Sequence, residues 1–249
     1  MRTQTRSGFT IIEVMLFLAI TGALTVAILV GSGAAISRQR YRDSVNTFKG
    51  LIQEQYGQIA NVVNSEVENG VCGESEGSLS IDTINEGGTG RPRGTSECLM
   101  IGRFLLIQSD KATAYNLIGK PPADDEGSSD SEILGAYSFA THSPEVYEMS
   151  WGAGVVEPKT KGGSTTSVLI VRSPRSGSIL TYIQEGDHLS SIREMIDDEN
   201  MKQKDFCVDP DPTSDRPSLR SRLAVRIKAR AANQSAIEIP LESEKVCDD

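Results

Sequence analysis

Glu13 is the residue whose chemistry most needs a reason. From Phe9 to Ser37, in the run FTIIEVMLFLAITGALTVAILVGSGAAIS, it is the only charged side chain. A carboxylate at the centre of a bilayer costs about 2.5–3.5 kcal/mol, and less near the edge. Two roles suit it. It can sit at headgroup level, near the favourable N-terminal end of a helix dipole, or it can await a cation inside a protein assembly. If the chain is cut before Phe9, the new α-amino group is such a cation, four residues away on the same helical face.

The four cysteines, Cys72, Cys98, Cys207 and Cys247, form a second set. An even count behind a membrane-targeting segment points to an oxidising compartment, and the lack of any CxxC spacing argues against zinc. Of the three pairings, Cys72 with Cys98 and Cys207 with Cys247 each close a local loop, 26 and 40 residues along the chain. Each would contribute roughly 3–4 kcal/mol on the chain-entropy account. Four buried thiols are the alternative.

Catalytic patterns are not found. His142 and His188 have no nucleophile or metal-ligand neighbours at a recognised spacing, and no GxSxG, HExxH or phosphate-loop run occurs. The expectation is a non-enzyme without cofactor or metal. Asp209, Asp211, Thr213 and Asp215 alternate like the start of a calcium loop. Ser214, however, stands where that loop wants Gly, and Arg220 where it wants Glu, so the segment reads as an acidic turn-rich loop, with a looser calcium site as the alternative. The lone Trp151, followed by Gly152 and Gly154, reads as a core residue in preference to an adhesive contact.

Gly90-Arg91-Pro92-Arg93-Gly94 is similar to a minor-groove hook. The net charge of 25 − 34 = −9 and the scatter of the basic residues nevertheless argue against DNA as the main partner.

These residues need elements to position them. The apolar run is long enough to cross a bilayer as a helix, which takes about 20 residues, and too long for an ordinary signal peptide, although Gly33-Ala34-Ala35 loosely imitates a cleavage site. The charge rule does not settle its orientation, because Arg2 and Arg6 precede it while Arg38, Arg40 and Arg42 follow.

Beyond Ser37, Tyr41, Val45, Phe48, Ile52, Tyr56, Ile59 and Val63 recur at steps of three and four, one apolar stripe on a continuing helix. Asn69-Gly70 supplies the stop, so one helix is expected from about Phe9 to Val67. Residues 70–97 read as a long loop. Strands are expected at Leu99–Gln108, Ala112–Leu117, Ser167–Val171, Ile179–Ile183, Leu223–Ala229 and Ala236–Leu241, the last two as a hairpin, and a short helix capped by Asp187 over Leu189–Lys202. The fold class is α+β: one long helix, transmembrane in its first half, laid on a mainly antiparallel sheet.

The run Arg6-Ser7-Gly8-Phe9-Thr10-Ile11-Ile12-Glu13-Val14 resembles the class III leader and cleavage site of type IV prepilins and type II secretion pseudopilins, over roughly the first 35 residues. The resemblance implies that a prepilin peptidase cuts after Gly8 and methylates Phe9, and that Glu13 pairs with the Phe9 amine of a neighbouring subunit. It implies a division into leader 1–8, transmembrane and polymerisation segment 9–36, amphipathic half-helix 37–68 and exoplasmic domain 69–249.

The mature chain would have 249 − 8 = 241 residues and a charge of 23 − 34 = −11. Many members carry proline where this chain has Val30, so Gly22 to Gly33 is either a softer stretch or a close-packing face. The 207–247 pair would match the disulfide-bounded region near the C-terminus of many pilins. The implied function is a major or minor pilin of a type IV pilus, of the kind used in adhesion and twitching motility. It would be held N-terminus-inside in the cytoplasmic membrane as a precursor and exported into an extracellular filament with other pilin subunits and an assembly platform. The alternatives are a secretion or competence pseudopilin, or a bitopic membrane protein with an extracellular binding domain.

Overall fold

The computed structural model describes residues 10–60, 70–75, 78–83, 99–122, 129–158, 165–212 and 222–248. The chain divides into two units, Met1–Asp43 and Ser44–Asp249. One α-helix, α1 (Ile11–Ala60), runs through both.

In the first unit the apolar side chains of α1, from Ile11 (77%) through Phe17 (66%) to Val30 (72%), are exposed. This helix is long and apolar enough to cross a membrane. Its hydroxyls turn back on their own backbone: Thr21 Oγ1 donates to Phe17 O at 2.9 Å, Thr25 Oγ1 to Thr21 O at 2.8 Å and Ser32 Oγ to Leu29 O at 3.0 Å. No hydroxyl among these needs water, as a lipid-facing helix requires. A Cβ added at Gly22, Gly31 or Gly33 would meet nothing within 4 Å, so nothing within the chain requires a glycine there.

The second unit is α+β. A five-stranded antiparallel sheet has the order β5 (Ser138–Glu148), β4 (Lys111–Lys120), β3 (Leu99–Ile107), β7 (Thr166–Arg172), β8 (Ile179–Glu185). A four-stranded antiparallel sheet has the order β11 (Ile237–Glu238), β10 (Leu223–Ile227), β9 (Lys204–Asp209), β6 (Gly154–Val156). A hairpin of β1 (Gly70–Ser75) and β2 (Ser78–Thr83), two short α-helices, α2 (Asp130–Gly135) and α3 (Ser243–Asp248), and short 3₁₀ turns are also described.

The stripe on α1 does what its spacing requires: Val45, Phe48, Ile52, Tyr56 and Ile59 are all at most 2% exposed. Burying each contributes about 1.5–3 kcal/mol. Phe48 meets Phe206 of β9 edge-on at 5.9 Å. Tyr56 OH lies 2.9 Å from Thr181 Oγ1 of β8, which donates to Ala231 O at 2.7 Å. Gln53 Nε2 donates to Gln234 O at 3.0 Å. One side of the two sheets therefore holds the second half of α1.

The other face of the five-stranded sheet carries Phe104, Leu117, Leu169 and Tyr182, closed over by Ile133 and Leu134 of α2 and by Ile192 and Met195. β3 is consequently buried on both faces, which is why it reads as an almost unbroken apolar run. Gly102 of β3 lets that strand close on β7, since a Cβ there would collide with Ile170 O.

Several expectations are corrected. The 70–97 loop contains the β1–β2 hairpin, and residues 84–97 lie outside those described. Leu189–Lys202 is not one helix but two 3₁₀ turns, Ile192–Met195 and Asp198–Asn200; Asp187 does cap it locally, accepting Leu189 N at 3.0 Å. The C-terminal hairpin is present as β10 and β11, but its second strand stops at Glu238, two residues before Pro240. The helix end expected near Val67 falls outside the described residues.

Candidate functional site

At the start of α1 the structure places Glu13 in a reciprocal cap. Thr10 N and Thr10 Oγ1 each donate to Glu13 Oε2 at 3.0 Å, while Glu13 N donates to Thr10 Oγ1 at 3.3 Å. Thr10 is thus the N-cap and Glu13 the third helical residue of a capping box. The box satisfies two backbone donors that every helix start leaves open. Gly8 and Phe9, the expected processing residues, lie outside the described residues. The carboxylate is therefore held at the first turn of an exposed apolar helix, with its own local partner.

The second constellation lies beneath the other half of α1, and sequence reading passed over it. Arg103, in the centre of β3, is 1% exposed. Its Nε donates to Gln55 Oε1 of α1 at 2.8 Å, its Nη1 to Asn116 Oδ1, its β4 register partner, and its Nη2 to Glu145 Oε2 of β5 at 2.9 Å. Tyr147 OH donates to the same Glu145 oxygen at 2.7 Å. One guanidinium thereby ties a helix to three strands.

Burial pushes the Glu145 carboxyl up. The hydrogen bonds from Tyr147 and Arg103, with the Arg103 charge, outweigh it and leave the group below the usual carboxylate range. Burial, reinforced by Glu145, pushes the Tyr147 phenol up to about 12. The available signal was a charged residue in the middle of Leu99–Gln108, an otherwise apolar strand.

Cys207 and Cys247 are joined, with Cα atoms 5.7 Å apart. Both are buried with Val156 and Ala224, and the bond fastens α3 to the outward face of β9. Cys98, expected to pair with Cys72, lies outside the described residues, as do Arg91, Arg93, Thr213, Asp215 and Arg220. No group of metal-ligating side chains is found among the described residues. His188 is taken up by the turn after β8: Nε2 lies 2.9 Å from Glu185 O and Nδ1 3.3 Å from Ser191 Oγ.

Trp151 is a correction. It is 61% exposed, not core, and its backbone is left-handed with φ 62°. A bulky residue in that region is strained by roughly 1–2 kcal/mol. Backbone bonds strap the turn in place: Met149 N donates to Asp110 O at 2.9 Å and Val155 N to Ser109 O at 2.7 Å. Trp151→Gly is accordingly expected to stabilise the detergent-solubilised chain by about 1 kcal/mol, read as a rise in its thermal midpoint. A fall would show that indole packing outweighs the backbone strain.

No protein-family model, curated protein or solved structure matches the chain.

Proposed function

We propose that this chain is a filament subunit of the type IV pilin kind, a minor or major pilin or a related pseudopilin. It would be inserted in the membrane through the first half of α1, released by cleavage after Gly8 and polymerised through that same helix. The observation that carries the reading is the exposed apolar helix itself, bearing one carboxylate in its first turn behind a basic leader that ends at Gly8, with Phe9 next in the chain. In a bundle of such helices, packing of apolar side chains supplies cohesion, and the Glu13 carboxylate finds the freed Phe9 amine of a neighbour.

The fold is compatible with that division of labour. The second half of α1 is built into the sheets by its stripe and by Arg103, which leaves the first half for partners. Adhesion, motility, DNA uptake and secretion all remain within this architecture, because fold does not choose among them.

The test is the mass of the native N-terminus. A chain beginning at a methylated Phe9 is the expected result; an intact Met1 counts against the reading.

One observation favours a second reading, a bitopic membrane protein with an extracellular binding domain. Thr10 already satisfies Glu13 within the chain, so the carboxylate has a structural use without any neighbour.

A further inference from the structure

Two arginines follow the apolar run of α1 and find no anion within the chain. Arg38 and Arg42 are exposed, four residues apart on one face of the helix. Neither side chain has a hydrogen bond or ion pair among the described residues, whereas Arg40 between them is engaged within the chain. Like charges at this spacing repel. No acid stands three or four residues from either arginine, where a helix pairs charges. Asp43 adjoins Arg42 and so does not share its face.

Their height along the helix decides which anion is at hand. Glu13, which suits the headgroup layer at the start of the span, lies 25 residues before Arg38 and 29 before Arg42. At about 1.5 Å per residue those distances are roughly 38 and 44 Å. A bilayer is about 30 Å thick in its hydrocarbon core and about 40–45 Å with its headgroup layers. With Glu13 in one headgroup layer, both arginines stand in the other. Each Cα–Cβ bond leans toward the helix start, so both side chains turn back to the phosphates.

An anionic phospholipid supplies there what the chain withholds. Its phosphate oxygens accept paired bonds from a guanidinium fork. Two such forks, about 6 Å apart along the helix axis, can bracket one headgroup.

We propose that Arg38 and Arg42 bind an anionic phospholipid headgroup in the leaflet that α1 reaches after crossing the bilayer. This rests on the membrane insertion that the filament and bitopic readings share. The bound lipid sets the depth of the helix from its far end. On the filament reading, a subunit drawn out of the membrane must release that lipid first.

The experiment uses the full chain. Membranes of producing cells are washed with alkaline carbonate, and the retained chain is purified in detergent. Native mass spectrometry then reads its occupancy by added phosphatidylglycerol or phosphatidylcholine. An arginine beside an anionic headgroup is worth roughly fivefold in affinity. Phosphatidylglycerol is accordingly expected to bind at least fivefold more tightly than phosphatidylcholine. Arg38→Gln with Arg42→Gln should bring the two lipids within twofold. Arg38→Lys with Arg42→Lys should keep at least a threefold preference, because lysine retains the charge.

Equal binding of the two lipids by the parent chain overturns the proposal, as does an unchanged preference in the glutamine variant. Displacement of phosphatidylglycerol by an equal concentration of glycerol phosphate would assign the arginines to a soluble anion and overturn it too. In all three cases a carbonate-resistant chain keeps the membrane reading. A chain that carbonate releases sinks that reading, and the lipid site with it.

Discussion

Glu145→Leu is expected to lower the stability of the globular unit by about 3 kcal/mol, although Glu145 itself is 44% exposed. The cost falls on its partner. Arg103 is 1% exposed, so without Glu145 its guanidinium charge is left facing only the neutral acceptors of Gln55 and Asn116. The figure stands at the lower end of the range for stripping a buried charge, because the exposed outer end of the pair lets water approach.

Arg103→Met removes the charge and orphans two carbonyl oxygens, costing about 1–3 kcal/mol for each one left unsatisfied. On that background Glu145→Leu should cost less than about 1 kcal/mol, since no buried charge remains to be stranded. Denaturant unfolding of the four chains in detergent gives the coupling directly. Additive costs would mean that the two side chains do not act as a pair.

The same pair makes stability depend on pH with a definite sign. The folded Glu145 carboxyl is held below its ordinary value of 4.5, so the native state binds fewer protons than the unfolded chain in that range. The contribution is complete above about pH 4.5 and is lost as pH falls through the lower folded value. Glu145→Gln should flatten this acid limb in part only. Asp130, bonded by Ser173 and Ser176 hydroxyls, and Glu185, bonded by Lys204, are held down too and titrate over the same limb.

What sequence revealed and what it hid divide along a physical line. The stripe Val45, Phe48, Ile52, Tyr56, Ile59 was legible because one-sided burial leaves a period in the residue order. β3, β7 and β8 were legible as short apolar runs between turn residues. β5 was not, for it is an edge strand whose middle, Ser143 to Val146, is exposed and mixes polar with apolar residues. Ser143 and Pro144 stand opposite the single Tyr115 as a bulge, with Ser143 at φ 52°. An edge strand need not alternate, and a bulge can admit a proline.

The start of α2 was readable in principle. Ser129 and Glu132 form a capping box, as Thr10 and Glu13 do, and both appear in the text as a hydroxyl residue with glutamate three places on. Trp151 and the Arg103 network were hidden for another reason. Whether an aromatic faces out, or a charge faces in, depends on partners from distant strands that no local window contains.

On the filament reading, Glu13→Gln is expected to leave membrane insertion intact and to cut filament yield at least tenfold. Glutamine serves at the third position of a capping box as glutamate does, so the helix start keeps its local bonds to Thr10. It also lightens the desolvation cost of the span, so insertion has no reason to suffer. What it cannot do is neutralise an ammonium. A Phe9 amine left unpaired among apolar helices costs several kcal/mol, and each 1.4 kcal/mol is a factor of ten, which makes tenfold a lower bound.

The companion change, Thr10→Val, removes the hydroxyl that bonds Glu13 twice but keeps the carboxylate, and is expected to reduce yield by less than about fivefold, the factor that matches the roughly 1 kcal/mol of an exposed N-cap side chain. The two substitutions therefore pull the two roles of Glu13 apart. Should Glu13→Gln assemble as the parent does while Thr10→Val fails, the carboxylate is a helix cap in a membrane anchor, and the bitopic reading takes the place of the filament.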